Sequence, residues 1–101
     1  STITYVRFIN VGDQTINKIL GSLYDQKGNL IGHKEKIFIN SLPGRAHTWI
    51  SRDQFSNIVG DTWNGTATLK IIDADENLRL LNLNRIENET FLNFSCYEAG
   101  N

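Results

Sequence analysis

Leu42-Pro43-Gly44-Arg45-Ala46 lies between two β-rich runs, His33 to Ser41 before it and Arg45 to Ile50 after it. Proline presets φ for the first corner of a type II turn and glycine accepts the positive φ of the second, so the chain is expected to reverse at Pro43-Gly44. Just beyond, Ser51-Arg52-Asp53-Gln54 has the form of a helix start. Ser51 is placed to cap free amides and Gln54 sits at the capping-box position. Phe55, Ile58 and Val59 make one apolar stripe, and Gly60 is the expected C-cap, which predicts a helix over Ser51 to Gly60.

Working outward, the remaining apolar runs read as strands. Thr2 to Val11 is rich in β-branched and aromatic residues, with Val6 and Phe8 opposite Tyr5, Arg7 and Ile9. Gly12-Asp13-Gln14 turns the chain. Ile16 to Tyr24 puts Ile19, Gly21 and Leu23 on one face and Leu20, Ser22 and Tyr24 on the other, and Asp25 to Asn29 supplies hairpin residues. His33 to Ser41 is read with Ile37 and Ile39 on one face against Lys36, Phe38 and Asn40. Gly65 to Asp73, Asn77 to Ile86 and Thr90 to Tyr97 are the last strands. About seven strands joined by short turns, with one short helix, predict an all-β, antiparallel immunoglobulin-like β-sandwich.

With 101 residues, the chain is read as a single domain spanning 1–101. Ten Lys and Arg against eleven Asp and Glu leave a formal net charge of -1, which argues against nucleic acid as a partner. Polar residues interrupt every apolar run short of bilayer-spanning length, so no membrane insertion is expected. The lone Cys96 has no intramolecular disulfide partner, and it reads as a packed thiol. Asn64, Asn88 and Asn93 stand in glycosylation sequons, whose use depends on the host.

No catalytic constellation emerges, and no enzyme activity is expected. His33 and His47 lie on different predicted strands without metal-ligand spacing, so neither a metal nor a cofactor is expected. Glu35, between Lys34 and Lys36, reads as one half of a surface ion pair. Asp73-Ala74-Asp75-Glu76-Asn77 collects three carboxylates but lacks the glycine and distal glutamate of a calcium loop, and reads as a solvated hairpin tip. Arg45, His47 and Trp49, spaced two apart, make either a cationic and aromatic stripe suited to stacking a sugar ring or gripping a carboxylate, or a solvated strand face with Trp49 half buried against the helix. Trp63, entering a strand at Trp63-Asn64-Gly65, either plugs one end of the sandwich or stands exposed as a second platform.

Tyr5-Val6-Arg7-Phe8-Ile9-Asn10, Gly21-Ser22-Leu23-Tyr24-Asp25, Gly28-Asn29-Leu30-Ile31-Gly32 and Leu42-Pro43-Gly44-Arg45-Ala46 resemble β-sandwich accessory domains of large secreted bacterial proteins. Trp63-Asn64-Gly65 and Leu80-Leu81-Asn82-Leu83 continue the likeness. The resemblance implies an extracellular or cell-surface setting, with adhesion, carbohydrate attachment or spacing between modules as duties. Over the first half of the chain, Asn10-Val11-Gly12-Asp13 is also similar to a turn of the sensory rhodopsin transducer family, which implies oligomers and small-ligand or partner binding. The sequence therefore predicts a non-catalytic binding or accessory module in which Arg45, His47, Trp49 and Trp63 contact a polysaccharide or a neighbouring protein. Its rival is an assembly domain that forms a homo-oligomer without a small ligand.

Overall fold

Alternation of apolar and polar residues shapes β1 (Thr2–Asn10), whose Val6, Phe8 and Asn10 are buried while Tyr5, Arg7 and Ile9 are partly exposed on the other face. The chain continues through β2 (Ile16–Tyr24), β3 (Leu30–Leu42), β4 (His47–Ser51), α1 (Arg52–Val59), β5 (Ala67–Ile72), β6 (Leu78–Ile86) and β7 (Phe94–Glu98). The computed structural model describes the backbone of residues 2–86 and 94–98, and side-chain surroundings for residues 5–82. Sequons Asn88 and Asn93, the start of the strand expected from Thr90, and the surroundings of Cys96 lie outside the described residues.

The strands form two sheets, one in the order β4-β1-β6 and one in the order β3-β2-β5-β7. Pairing is antiparallel except between β5 and β7, which run parallel. That exception to the all-antiparallel expectation has a simple cause. Between β5 and β7 the chain crosses to the other sheet as β6 and comes back as β7, so two reversals restore the original direction. Asp73 to Asn77 is accordingly the passage from one sheet to the other, not a hairpin tip. Asp75 still does local turn work, accepting from the Asn77 amide at 2.8 Å and, through its carbonyl, from Leu78 at 3.0 Å.

The core lies between the sheets. Val6, Phe8, Leu23, Ala67, Leu69, Ile71 and Leu78 are fully or almost fully buried. The helix forms as its sequence implies: Ser51 Oγ accepts from the Gln54 amide, Gln54 Oε1 accepts from the Ser51 amide, and Gly60 closes the helix at φ 83°. Phe55 and Val59 turn inward from it.

Three local expectations change. The Pro43-Gly44 reversal is displaced by one residue: Ala46 N–H donates to the Pro43 carbonyl at 3.1 Å, making Gly44 and Arg45 the two corners. Arg45, not Gly44, takes the positive φ, at 67°. Gly44 is required for close approach instead, since a Cβ there would lie 2.2 Å from the Asp13 carbonyl oxygen. In β3 the alternation breaks, because the pairing slips between Ile19 opposite Ile39 and Leu20 opposite Ile37. A bulge of this kind turns consecutive residues inward, so Phe38 and Ile39 are both buried and Ile37 is 42% exposed. Glu35 has no ion pair among the described residues; it adopts φ 58° and its amide donates to the buried Ser22 Oγ at 2.8 Å.

Gly32 joins β3 to the end of the helix. It holds φ 67°, and a Cβ there would stand 2.3 Å from the Val59 carbonyl oxygen, whereas at Gly28 (φ 84°) nothing lies within 4 Å. Gly32→Ala is therefore expected to cost about 2–4 kcal/mol, from a left-handed alanine plus a backbone collision. Gly28→Ala carries only the conformational penalty, about 1–2 kcal/mol. Equal losses for the two variants in urea unfolding would show that helix and strand are not in contact at this point.

Candidate functional site

Residues two apart on a strand share a face, so His47 and Trp49 project from the same side of β4. Their rings meet edge to face with centroids 4.9 Å apart. Pairing of β4 with β1 sets Trp49 directly opposite Arg7, and the Arg7 guanidinium carbon lies 5.6 Å from the Trp49 ring centroid. Pairing of β1 with β6 extends this rung to Leu81, which is 47% exposed. Trp49 is thus held between a cation and an imidazole while 46% of its surface stays open. Arg7 Nε is buried with no hydrogen-bond partner among the described residues.

Beside this rung the two sheets leave a gap. The unpaired edges of β3 and β4 face each other there, and α1 spans part of the opening. What remains is a cleft of about 410 Å³ lined by Phe38, Ile39, Thr48, Ile50 and Ile58, with Trp49 and His47 also bordering it. Gln54 and Ser41 add polar groups, and among the described residues no Asp, Glu, Lys or Arg lines it. Such an arrangement offers apolar contact, ring stacking and a few neutral hydrogen-bonding groups.

The structure brings together His47 and Trp49 and separates the other two expected site residues from them. Arg45 belongs to the turn, where its Nε donates to Asp13 Oδ1 at 2.9 Å in an exposed ion pair. Trp63 is half-buried and packs against the core, with the Arg52 guanidinium carbon 4.3 Å from its ring centroid. Arg52 also donates to the Gly65 carbonyl at 3.1 Å and to the Trp63 carbonyl. Its partial burial lowers its pKa from the ordinary guanidinium value. Trp63 therefore serves as packing for the helix-to-β5 connection. Asp73 and Asp75 border a separate hollow of about 310 Å³ alongside Lys18, and neither histidine lines it.

No protein-family model, curated protein or solved structure matches this chain.

The site must be read from its own geometry. Three of its members escape a reading along the chain. Arg7 sits in an apolar strand, where only the pairing with β4 reveals that it supports Trp49. Phe38 reaches the cleft through the bulge, and Ile58 through the docking of the helix. The single sequence signal for Arg7 was its place on the outer face of β1, between Tyr5 and Ile9.

Proposed function

We propose that this chain is a non-catalytic binding module, an immunoglobulin-like sandwich whose Trp49 cleft receives part of a polysaccharide or of a neighbouring protein in an extracellular setting. The strand order supports the immunoglobulin-like reading. The orders β4-β1-β6 and β3-β2-β5-β7 correspond to the E-B-A and C′-C-F-G orders of immunoglobulin-type sheets, with β1 to β5 following the chain order B-C-C′-E-F. Here the A position is filled by β6, from late in the chain, and the G position by a parallel β7.

The observation that carries the binding reading is Trp49, a large aromatic left 46% exposed at the rim of an uncharged cleft and oriented by neighbours on two sides. A tryptophan kept only for packing buries more of its ring. Trp49→Ala is expected to leave stability within about 1 kcal/mol, because the ring is half in water already. It should weaken ligand binding by about tenfold or more. Tryptophan fluorescence during titration with soluble polysaccharides and peptides checks this: a ligand-dependent shift in the wild type, absent in Trp49→Ala, supports the reading. Silence of Trp49 toward every ligand in both classes removes it.

The assembly reading draws support from the exposed Trp49–Arg7–Leu81 rung on the outer sheet face. A concentration-independent dimer or tetramer mass in light scattering, lost in Leu81→Lys, is the outcome that selects it.

A further inference from the structure

The hydrogen-bond parity of β4 specifies what its open edge offers. Asn10 N–H donates to the Ala46 carbonyl at 2.9 Å, and in an antiparallel ladder the residues that exchange such bonds alternate. The register then directs the backbone groups of Thr48 and Ile50 toward β1, opposite Phe8 and Val6, and those of His47, Trp49 and Ser51 away from it. Two other bonds agree. Val11 N–H donates to Asn77 on the β6 side at 2.9 Å, and Ser51 N–H is taken by Gln54 Oε1 at 2.8 Å. His47 and Trp49 therefore each present one N–H and one C=O at the edge, with no partner among the described residues. This short pairing surface ends at the helix cap on one side and at the Pro43–Ala46 turn on the other.

Resting on the reading of the cleft as a ligand site, we propose that its ligand is an extended, uncharged polypeptide segment of a partner protein, which adds as a strand to β4. Residues facing His47 and Trp49 exchange backbone hydrogen bonds with them. The residue between, facing Thr48, projects into the cleft, where Phe38, Ile39, Ile50 and Ile58 select an apolar side chain. The edge accommodates about three to five residues. The absence of charged side chains among the described lining residues makes a charged segment a poor fit, because its desolvation would go uncompensated. A second copy fits less well. Pairing β4 with itself about Thr48 offers the cleft only Thr48 of the copy, since the next inward residue, Ile50, is buried in its own core.

The test uses the full ¹⁵N-labelled chain and the heptapeptides acetyl-Thr-Val-Thr-Xaa-Thr-Val-Thr-amide, with Xaa Leu, Ile, Phe or Gly. Leu, Ile or Phe peptides should slow hydrogen exchange of the His47 and Trp49 amides by at least tenfold, and should bind about tenfold or more tightly than the Gly peptide. Methylating the amide nitrogens of the two threonines flanking Xaa should abolish both effects on the unaltered protein. His47→Pro removes one outward N–H at the first residue of an edge strand, a place where proline is tolerated, and should reduce binding similarly without altering the β1–β4 pairing. The proposal is overturned if no peptide slows either amide, if methylated peptides bind equally well, or if protection grows with protein concentration alone, which marks a second copy. A polysaccharide that shifts Trp49 fluorescence without slowing these amides overturns the strand proposal and keeps the ligand site; silence toward both classes removes both.

Discussion

Phe55→Ala is expected to lower the free energy of unfolding by about 3–5 kcal/mol, among the largest losses a single truncation in this chain should produce. Phe55 is fully buried, 6.4 Å from Phe8 by ring centroid and 5.2 Å from Phe38, the latter edge to face. Phe8 belongs to the three-stranded sheet and Phe38 to the four-stranded sheet, so one ring from the helix closes the sandwich on the side where its edges part. Removing it opens a void bounded by strands from both sheets, which cannot collapse without moving one sheet toward the other. Phe55→Leu should recover more than half of the loss by refilling most of that volume. Urea denaturation followed by circular dichroism measures both variants, and a loss under about 1 kcal/mol for alanine would contradict the position of the ring.

The second large effect is expected at Asn10. Its side chain is 1% exposed, and its amide nitrogen donates to the carbonyls of Gln14 (2.7 Å), Leu42 (3.1 Å) and Pro43 (3.2 Å), while its oxygen accepts from Gly12 N–H at 3.0 Å. One amide thus ties the end of β1 to the turn after it and to the turn that opens β4. Asn10→Ala strands these buried groups and should cost about 2–4 kcal/mol. Asn10→Asp keeps the shape but sets a carboxylate against three carbonyl oxygens, and should cost about 3–5 kcal/mol near neutral pH. Protonation relieves that repulsion, so the folded-state pKa of the introduced carboxyl rises above its unfolded value. The native state then binds the extra proton, and the aspartate variant should regain stability as pH falls toward about 4, unlike the alanine variant. An aspartate variant whose deficit is the same at both pH values would show that Asn10 does not face those carbonyls.

Both predictions concern contacts between segments far apart in sequence, and that distinction separates what was legible along the chain from what was not. The capping box at Ser51 and Gln54, the Gly60 closure and the Asp25 to Asn29 hairpin were readable, because each is a hydrogen-bond pattern among residues at most five apart. The strand expected within Gly65 to Asp73 also forms, as β5, with Ala67, Leu69 and Ile71 toward the core. In β3 the same rule failed at Phe38, where the register slip against β2 overrides alternation. The Leu42–Ala46 reversal was visible, but its corners were shifted, because Gly44 is committed to its approach to Asp13. Of the site, Trp49 and His47 could be named from their two-residue spacing. Arg7 opposite Trp49 could not.

Sequence by itself placed a mostly antiparallel set of strands, the reversal near Pro43 and the capped helix at Ser51, since backbone geometry and short-range hydrogen bonds depend on neighbouring residues. Only the tertiary structure decided that β1 lies between β4 and β6, that Arg45 and Trp63 serve a turn and a packing contact, and that the parted edges of β3 and β4 leave a cleft beside Trp49. Those outcomes depend on which strands find each other across tens of residues, and in which register. The competition is settled by fitting buried side chains such as Phe8, Phe38 and Phe55 into one interior, and no local pattern encodes its result.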